Sequence, residues 1–243
     1  MGGMRINVVT SFSPKGHETY GRSMLKSFEQ HWPHEVNLYV YHESRIPEDA
    51  SGRAIWVNLD RDKDRAAFVA SHQDGPRDGP HAYKRWPVKF CHKVFAVTSA
   101  PRDCDWLIWM DGDIETMNPM SWEFLRELLP QDETVGVFLG RRWWSHTETG
   151  FWAIRMNGYG QHFLDELRAV YTSDRIMTFT NLTDCAAFDY CVQTFEGRGQ
   201  KFKDLGANHK GPDIDVMGRS VLSPFLFHFK GEFRKLKKYG TVA

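Results

Sequence analysis

The 243-residue sequence has no excess of charge of either sign, because Lys and Arg together number 31 and so do Asp and Glu. Without a net charge the protein has no overall field that would draw it to nucleic acid or to a membrane, so a charged partner must be met by a local patch. Apolar runs of membrane-spanning length are absent as well. The first residues, MGGMRINVV, also lack the apolar core of a secretory signal peptide. We therefore expect a protein that does not span a membrane and that is cytoplasmic.

Cysteine is scarce, and the four cysteines form no C-x-x-C pair, which predicts reduced thiols rather than a disulfide framework or a zinc site. Tryptophan, in contrast, is frequent. Nine tryptophans exceed what a core of this size usually requires, so we expect some of them to face a ligand. The length fits one domain over residues 1–243.

Apolar and β-branched runs alternate along the chain with segments of helical periodicity. The predicted strands lie at residues 5–12, 36–42 and 54–59, in the apolar part of 105–117, and at 134–140 and 150–156. The predicted helices lie at residues 18–32, 85–100, 122–129, 162–171 and 184–195. This order predicts an α/β fold with a mostly parallel central sheet that is flanked by helices.

The stretch DWLIWMDGDIETM, residues 105–117, leads an apolar strand directly into Asp111 and Asp113. A parallel strand that is buried on both faces is apolar along its length, and its carboxyl end is where an open α/β sheet binds ligands. Two carboxylates this close repel each other unless a cation lies between them, and Mn²⁺ or Mg²⁺ accepts such oxygen ligands. We expect Gly112 to let the backbone turn sharply so that both side chains converge. The alternative is a solvated turn with two capping aspartates.

Several motifs together resemble a known family. The string DWLIWMDGDIETMNPM at 105–120 resembles the D-x-D region of GT-A fold glycosyltransferases, and HFKGEFRK at 228–235 resembles the H-x-x-G-x-x-K segment of glycogenin and the lipopolysaccharide galactosyltransferases. ETGFWAIRMN followed by TDCAAFDY is similar to the acceptor-side half of that fold. The resemblance implies a Rossmann-like GT-A domain with a nucleotide-sugar and metal half at 1–117, an acceptor-side half at 118–225 and a basic tail at 226–243.

The same resemblance implies a transferase that uses Mn²⁺ or Mg²⁺ to move a sugar from a nucleoside-diphosphate donor to an acceptor hydroxyl. The metal ligands would be Asp111, Asp113 and His228. Taken without the family, His228 could equally be a packed histidine among neighbouring phenylalanines. The likeness of the tail to glycogenin favours transfer with retention of configuration.

Basic residues are implied for the diphosphate. Lys93, with Lys89 as second choice, corresponds to the residue that in similar enzymes touches the donor sugar and the diphosphate, although both lysines could lie on the wet side of their helix. In the tail, Gly231 matches the motif, whereas Arg234 replaces its lysine. An arginine fork binds phosphate with different geometry, so Lys230 could share the role.

For the nucleoside, Thr10 and Ser11 end the first strand where a base or ribose would lie. Tyr20 could stack on the base or could be a core residue of its helix. In similar enzymes this pocket most often accepts uridine, which implies a UDP-sugar donor.

Acceptor binding is expected in the second half of the chain. Trp143, Trp144 and Trp152 offer flat indole faces that suit sugars and nucleobases. Glu148 and Asp184 lie where similar enzymes place polar groups on the donor sugar or the acceptor hydroxyl, although Asp184 could instead be a helix N-cap. The acceptor could be a glycan, a glycoconjugate, a small molecule or a modified nucleic acid.

Two other classes of function compete with this hypothesis. A metal-dependent nucleotidyltransferase would need a Gly-rich basic loop after the first strand, and SFSPKGHETYG is a poor version of one. A non-catalytic module could bind sugar or nucleic acid through the tryptophans and the basic tail. The aspartate and histidine set disfavours such a module, which has no use for a metal that holds a diphosphate.

Overall fold

The computed structural model describes residues 3–48, 50, 52–73, 75, 81–141, 146–206 and 216–230. The strands are β1 (Ile6–Phe12), β2 (Asn37–His42), β3 (Ala54–Asn58), β4 (Trp106–Met110), β5 (Ile114–Thr116), β6 (Thr134–Leu139), β7 (Glu148–Arg155), β8 (Lys201–Asp204) and β9 (Leu226–His228). The α-helices are α1 (Pro14–Gly16), α2 (Arg22–His31), α3 (Lys63–Ser71), α4 (Val88–Thr98), α5 (Trp122–Leu128), α6 (Gly158–Thr172) and α7 (Asp184–Glu196).

The central sheet has seven strands in the order β3-β2-β1-β4-β7-β6-β8, and β5 pairs with β9 in a small second sheet. Strands β3, β2, β1 and β4 run parallel. Strand β7 is antiparallel to both β4 and β6. The carboxyl ends of β1, β2, β4 and β6 therefore meet the amino end of β7 at one edge of the sheet, and the predicted α/β fold is confirmed.

Strand β4 lies at the centre of the sheet and is buried at every position. Trp106, Ile108 and Met110 belong to the core on one side of the sheet, and Leu107 and Trp109 to the core on the other. Successive side chains of a strand point to opposite faces, so a strand covered by helices on both sides must be apolar throughout. Burial of each large apolar side chain stabilises the fold by roughly 1.5–3 kcal/mol.

The helix predicted around Pro87 is present as α4. Pro87 is its N-cap residue, where the absent amide hydrogen costs no hydrogen bond. Val88, Cys91, Val94 and Phe95 form its buried face, as predicted. The helix packs against β1 and α6.

The helix predicted at 18–32 differs from the observed structure at its start. The chain forms α1, then a π-helical turn at His17–Gly21, and only then α2. A side chain at Gly16 would place its Cβ 2.6 Å from the Tyr20 hydroxyl, and one at Gly21 would place it 3.1 Å from the Phe12 ring. Two glycines therefore let this turn pack closely against the end of β1.

Five elements are not predicted from the sequence: α1, α3, β5, β8 and β9. Strands β5 and β9 have only three residues each, too few for an alternating pattern to be recognised. Helix α3 begins at the N-cap Asp62, whose side chain accepts a hydrogen bond from the Arg65 amide, but only Arg65 and Phe68 are buried in it. Its apolar face is therefore too narrow to give a periodic signal.

More of the tryptophan side chains lie in the core than the sequence predicts. Trp152 is 2% exposed, and its ring centroid lies 5.1 Å from that of Phe188. The expectation that Trp152 faces an acceptor is wrong, because β7 lies inside the sheet and both of its faces are covered. Trp143 and Trp144 lie outside the described residues.

All four cysteines are free thiols, as predicted. No helix in the described ranges is both long enough and apolar enough to cross a membrane.

Candidate active site

A cavity of about 900 Å³ lies at the edge where β1, β2, β4 and β6 end and β7 begins. Its walls carry ionisable groups of both signs. The acids are Glu43, Asp111, Asp113, Glu148 and Asp184, and the bases are Lys89, Lys93, Arg141 and Lys230. Most of these groups are paired, and the pairs decide what the cavity can bind.

Asp111, Asp113 and His228 come together in one wall of the cavity, as predicted. One ligand atom from each residue lies within 4.8 Å of the others. His228 Nε2 is 3.0 Å from Asp113 Oδ1 and 3.8 Å from Asp111 Oδ2. The pairing of Ile114 with His228 in the small sheet, and a hydrogen bond of 3.0 Å from the Phe229 amide to the Asp113 carbonyl, hold the two chain segments in register.

The chemistry of these three residues fits a divalent cation. Two carboxylates and one imidazole form a mixed oxygen and nitrogen ligand set. This set suits Mn²⁺ and disfavours Ca²⁺, which prefers oxygen ligands only. The Nδ1 atom of His228 is buried and has no hydrogen-bond partner among the described residues, and Glu148 Oε1 lies 3.9 Å away. In metal sites such a second nitrogen usually faces a carboxylate, which fixes the ligating tautomer.

Gly150 leaves room for the imidazole. A Cβ at this position would lie 2.7 Å from His228 Cε1 and 2.8 Å from its Nδ1. The carbonyl of the same glycine accepts a hydrogen bond of 2.8 Å from the Asp111 amide. One residue of β7 therefore positions two of the three candidate ligands.

Gly112 has a role different from the predicted one. Among the described glycines only Gly199 has a positive φ, so the turn at Gly112 does not require a glycine for its dihedral angles. A Cβ on Gly112 would lie 2.9 Å from the Phe12 ring and 3.2 Å from the Tyr20 ring. The glycine lets the D-x-D segment pack closely against the end of β1.

Lys93 is buried between two acids rather than on a wet helix face. Its Nζ is 2.8 Å from Asp111 Oδ1, 2.9 Å from Asp184 Oδ2 and 2.5 Å from the Thr149 carbonyl. Burial by itself lowers the pKa of Lys93, but the Asp111 and Asp184 carboxylates outweigh it and raise the pKa above its usual range. Lys93 is therefore a fixed positive charge beside the candidate metal ligands.

Asp184 is the acid on the far side of Lys93, and it is not the helix N-cap. Thr183 caps α7, and its side chain accepts a hydrogen bond of 3.2 Å from the Ala186 amide. Burial raises the pKa of Asp184, but Lys93 and a hydrogen bond of 2.5 Å from the Thr149 hydroxyl lower it by a larger amount, so the net pKa is below the usual range. Asp184 is therefore held ionised.

Glu148 is 5% exposed and pairs with two cations, Arg141 and Lys230. Burial, with Arg141 beside it, lowers the pKa of Lys230 to about 8. Arg141 was not predicted from the sequence. It directly follows Gly140 at the carboxyl end of β6, and this position at the ligand edge of the sheet is the signal that could have identified it.

Ser11 and Tyr20 line the part of the cavity that lies over the end of β1. Tyr20 also packs against the core, so both predicted roles of its ring are compatible with its position. Thr10 is fully buried and does not line the cavity, because it lies one residue deeper in β1 than Ser11. Lys89 lines the cavity, with its Nζ 5.0 Å from the centre of the Tyr83 ring.

Further lining residues that escaped prediction include Glu43, Thr149 and Cys185. Glu43 follows the carboxyl end of β2, and burial raises its pKa while Arg65 opposes the rise. The predicted diphosphate contacts Gly231 and Arg234 lie outside the described residues.

No family model and no curated protein matches the sequence. Solved structures do match. A glycosyltransferase involved in glycosylation of the major capsid of PBCV-1 is 12% identical, with a TM-score of 0.52 over 97% of this chain and 99% of that one. Galactosyltransferase LgtC, in complex with donor and acceptor sugar analogues, is 11% identical, with a TM-score of 0.52 over 98% of this chain and 97% of that one.

The bifunctional glycosyltransferase WbbM is also similar, at 11% identity and a TM-score of 0.57. The alignment includes 94% of this chain but 46% of WbbM, so the chain spans about half of that protein. At such low identity these similarities identify the architecture alone. Together with the strand order and the flanking helices, they show that the chain has the GT-A glycosyltransferase fold.

Proposed function

We propose that this protein is a metal-dependent glycosyltransferase that moves a sugar from a nucleoside-diphosphate sugar to an acceptor hydroxyl. The observation that carries the proposal is the convergence of Asp111, Asp113 and His228 within 4.8 Å in a large cavity at the ligand edge of the sheet. The GT-A fold supports it, since the similar solved structures are titled as glycosyltransferases. A module that only binds sugar would have no use for a metal that holds a diphosphate.

Asp111, Asp113 and His228 would hold Mn²⁺ or Mg²⁺, and the imidazole favours Mn²⁺. When bound, the cation would neutralise the diphosphate and stabilise the negative charge that develops on it as it leaves. Trp109 donates a hydrogen bond of 2.7 Å from its Nε1 to Asp111 Oδ1, so that oxygen is already occupied by Trp109 and Lys93. This leaves Asp111 Oδ2, on the His228 side, as the ligating oxygen.

The basic residues divide into two kinds. Lys93 is locked between Asp111 and Asp184, and its three N–H groups are used by these acids and the Thr149 carbonyl, so it would contribute a fixed positive field beside the donor. Arg141 and Lys230 share the single carboxylate of Glu148, which leaves donor capacity on both cations for phosphate oxygens. Lys89 would add a further cation at the cavity wall.

The nucleoside would occupy the space over the end of β1, with Ser11 within reach of the ribose or base and Tyr20 offering a ring face. The donor we propose is a UDP-sugar. Gly112 keeps the D-x-D backbone against Tyr20 and Phe12, so the nucleoside and metal ends of the donor would lie in one continuous cavity.

Three carboxylates of the cavity wall lie outside the candidate metal ligands, and each has a cation beside it; for Glu43 this is Arg65, whose Nη2 is 3.9 Å from Glu43 Oε2. Asp184 pairs with Lys93 and Glu148 with Arg141 and Lys230, and neither is poised to accept a proton. Inverting transfer needs such a base, whereas in retaining transfer the departing diphosphate oxygen can take the acceptor proton. This arrangement favours retention, with Asp184 and Glu148 as groups that orient the donor sugar and the cations.

The test is release of free nucleotide from UDP-, GDP- and CMP-sugars in the presence of Mn²⁺, without added acceptor. Slow transfer to water makes the acceptor unnecessary. We expect release from a UDP-sugar, loss of that release with a chelator, and no release from CMP-sugars, which lack a diphosphate. Absence of release from every donor, or release that a chelator leaves unchanged, would contradict the proposal.

A further inference from the structure

A second, smaller cavity of about 330 Å³ lies beside the first, between the start of β7 and helix α7. Within the part of the chain that the structure describes, the two cavities have no lining residue in common, but neighbouring residues of the chain line each of them. Ala186 lines the small cavity, whereas Asp184 and Cys185, directly before it on α7, line the large one. In the same way His146 lines the small cavity just ahead of Glu148 in the large one.

The floor of the small cavity is a fixed polar network. His146 Nδ1 lies 2.9 Å from Asp189 Oδ2, and the Thr147 amide donates to the same oxygen at 3.1 Å. Asn181 Nδ2 lies 3.0 Å from His146 Nε2. A proton on Nδ1 donates to the carboxylate, and the contact of Nε2 with the Asn181 amide holds the other side of the ring. The imidazole is thereby held in one orientation.

Aromatic rings and open polar groups complete the wall. The rings of Phe179 and Tyr190 lie 5.5 Å apart, and the Tyr190 hydroxyl accepts a hydrogen bond of 2.7 Å from Arg175. Thr180 and Gln193 are exposed lining residues whose side chains have no hydrogen-bond partner in the described part of the chain. Ring faces that contact C–H groups, next to unpaired hydroxyl and amide groups, are the chemistry that recognises a sugar ring.

The charge of the small cavity points the same way. Its one acid, Asp189, is already engaged by His146 and the Thr147 amide, and no lysine or arginine is found among the described residues that line it. A phosphate-bearing ligand needs a free cation, and Arg175 beside Tyr190 is already paired with Glu166. The cavity therefore suits a neutral ligand and disfavours a nucleic acid backbone.

We propose that the small cavity binds a neutral saccharide unit of the acceptor. The rest of the acceptor would extend over the start of α7 into the large cavity. The identification of this saccharide as the acceptor rests on the proposed glycosyl transfer, but the binding of a saccharide can be tested by itself. It narrows the acceptor from any hydroxyl compound to a glycan or glycoconjugate.

The test is saturation-transfer-difference NMR of the full chain with a panel of methyl glycosides and neutral disaccharides. We expect at least one of them to bind, and the variant Thr180→Val/Gln193→Ala to weaken that binding at least five-fold. Both positions are exposed, so the variant should fold. Gln161→Ala, an exposed glutamine on α6, is the matched control and should change binding less than two-fold.

The outcomes separate the two proposals. Chelator-sensitive donor release together with no glycoside binding, or with binding that the double variant leaves unchanged, would overturn the saccharide cavity alone. Glycoside binding that the double variant weakens, without release from any donor, would support the cavity and contradict the transferase.

Once donor and acceptor are known, the double variant should raise the acceptor KM at least five-fold while the donor KM stays within two-fold of the original. An equal rise of both would overturn the proposal.

Discussion

His228 Nε2 lies 3.0 Å from Asp113 Oδ1, although 115 positions separate the two residues in the chain. The contact exists because β9 pairs with β5, which directly follows the D-x-D segment. A carboxylate and an imidazole brought together at a sheet edge, with Asp111 beside them, form a candidate site whose expected property is affinity for a cation. This property can be measured without knowledge of the substrate.

We expect Mn²⁺ to stabilise the protein and Asp113→Asn to abolish this effect. A ligand that binds only the folded state stabilises it by about 2.7 kcal/mol at a concentration of 100 times Kd. Thermal unfolding with and without Mn²⁺ measures the shift in Tm. The same variant should lower the rate of nucleotide release at least 100-fold, because it removes a candidate ligand at the reacting end of the donor.

The matched control is Asp103→Asn, which changes an exposed aspartate before β4 and should keep the full Mn²⁺ shift. An undiminished Mn²⁺ shift in Asp113→Asn would contradict the assignment of the metal ligands. Loss of folding in Asp113→Asn without metal would instead indicate that the residue is needed by the core.

Gly150→Ala tests the positioning of His228 without altering any candidate ligand. The added Cβ would lie 2.7 Å from His228 Cε1, so the imidazole must move. We expect the Mn²⁺ affinity, measured by titration calorimetry, to fall roughly 10- to 100-fold, as for the loss of other groups that orient metal ligands. Gly158→Ala is the control, since a Cβ there meets no atom within 4 Å. Equal Mn²⁺ affinities in the two variants would contradict the role of Gly150.

Part of this site could be predicted from the sequence, because burial leaves a readable pattern. Strand β4 is apolar at all its positions and is followed directly by Asp111. This pattern identifies the ligand edge of the sheet. Helix α4 has a periodic apolar face, and this placed Lys93 on the opposite side of the helix. The family resemblance then supplied His228, which no local pattern distinguishes from a packed histidine.

The rest depends on packing between distant segments, which local sequence does not encode. The pairing of Glu148 with Arg141 depends on the register of β6 and β7, in which Glu148 lies opposite Leu139. The dihedral angles of Gly112 predict its role wrongly, because the close approach of Phe12 and Tyr20 is what requires the glycine. The affinity of indole rings for sugars predicts a ligand for Trp152 wrongly, because its strand is covered on both faces.

Removal of Lys93 should destabilise the fold. Lys93→Met would leave Asp111 and Asp184 close together without their common counter-charge, and breaking a buried ion pair in this way costs about 3–5 kcal/mol. Urea unfolding measures the loss of free energy. The double variant Lys93→Met/Asp184→Asn should recover at least half of it, because the uncompensated charge is removed. Lys63→Gln on the exposed start of α3 serves as the control, with a change below about 0.5 kcal/mol. A small effect of Lys93→Met would contradict the burial of the ion pair.

The last prediction concerns pH and a histidine that is not a candidate metal ligand. Burial, with Arg65 beside it, lowers the pKa of His92 to about 4, and Arg65 Nε donates a hydrogen bond of 2.9 Å to His92 Nδ1. Between this pKa and the ordinary value of 6.5, the unfolded chain binds a proton that the folded chain does not. The free energy of unfolding therefore falls as pH drops through this window, and the contribution of His92 is fully present only above its upper end.

His92→Gln should remove this part of the pH dependence. The difference in pKa corresponds to about 3 kcal/mol between the two ends of the window. Urea unfolding of both proteins at several pH values measures it, and the variant should have the shallower slope because glutamine does not titrate. Carboxylates titrate in both proteins, so only the difference between the two curves is assigned to His92. The control His162→Gln, at an exposed position of α6, should follow the unsubstituted protein. Parallel curves for His92→Gln and the unsubstituted protein would mean that His92 protonates as readily in the folded chain as in the unfolded one, which its burial against the Arg65 guanidinium opposes.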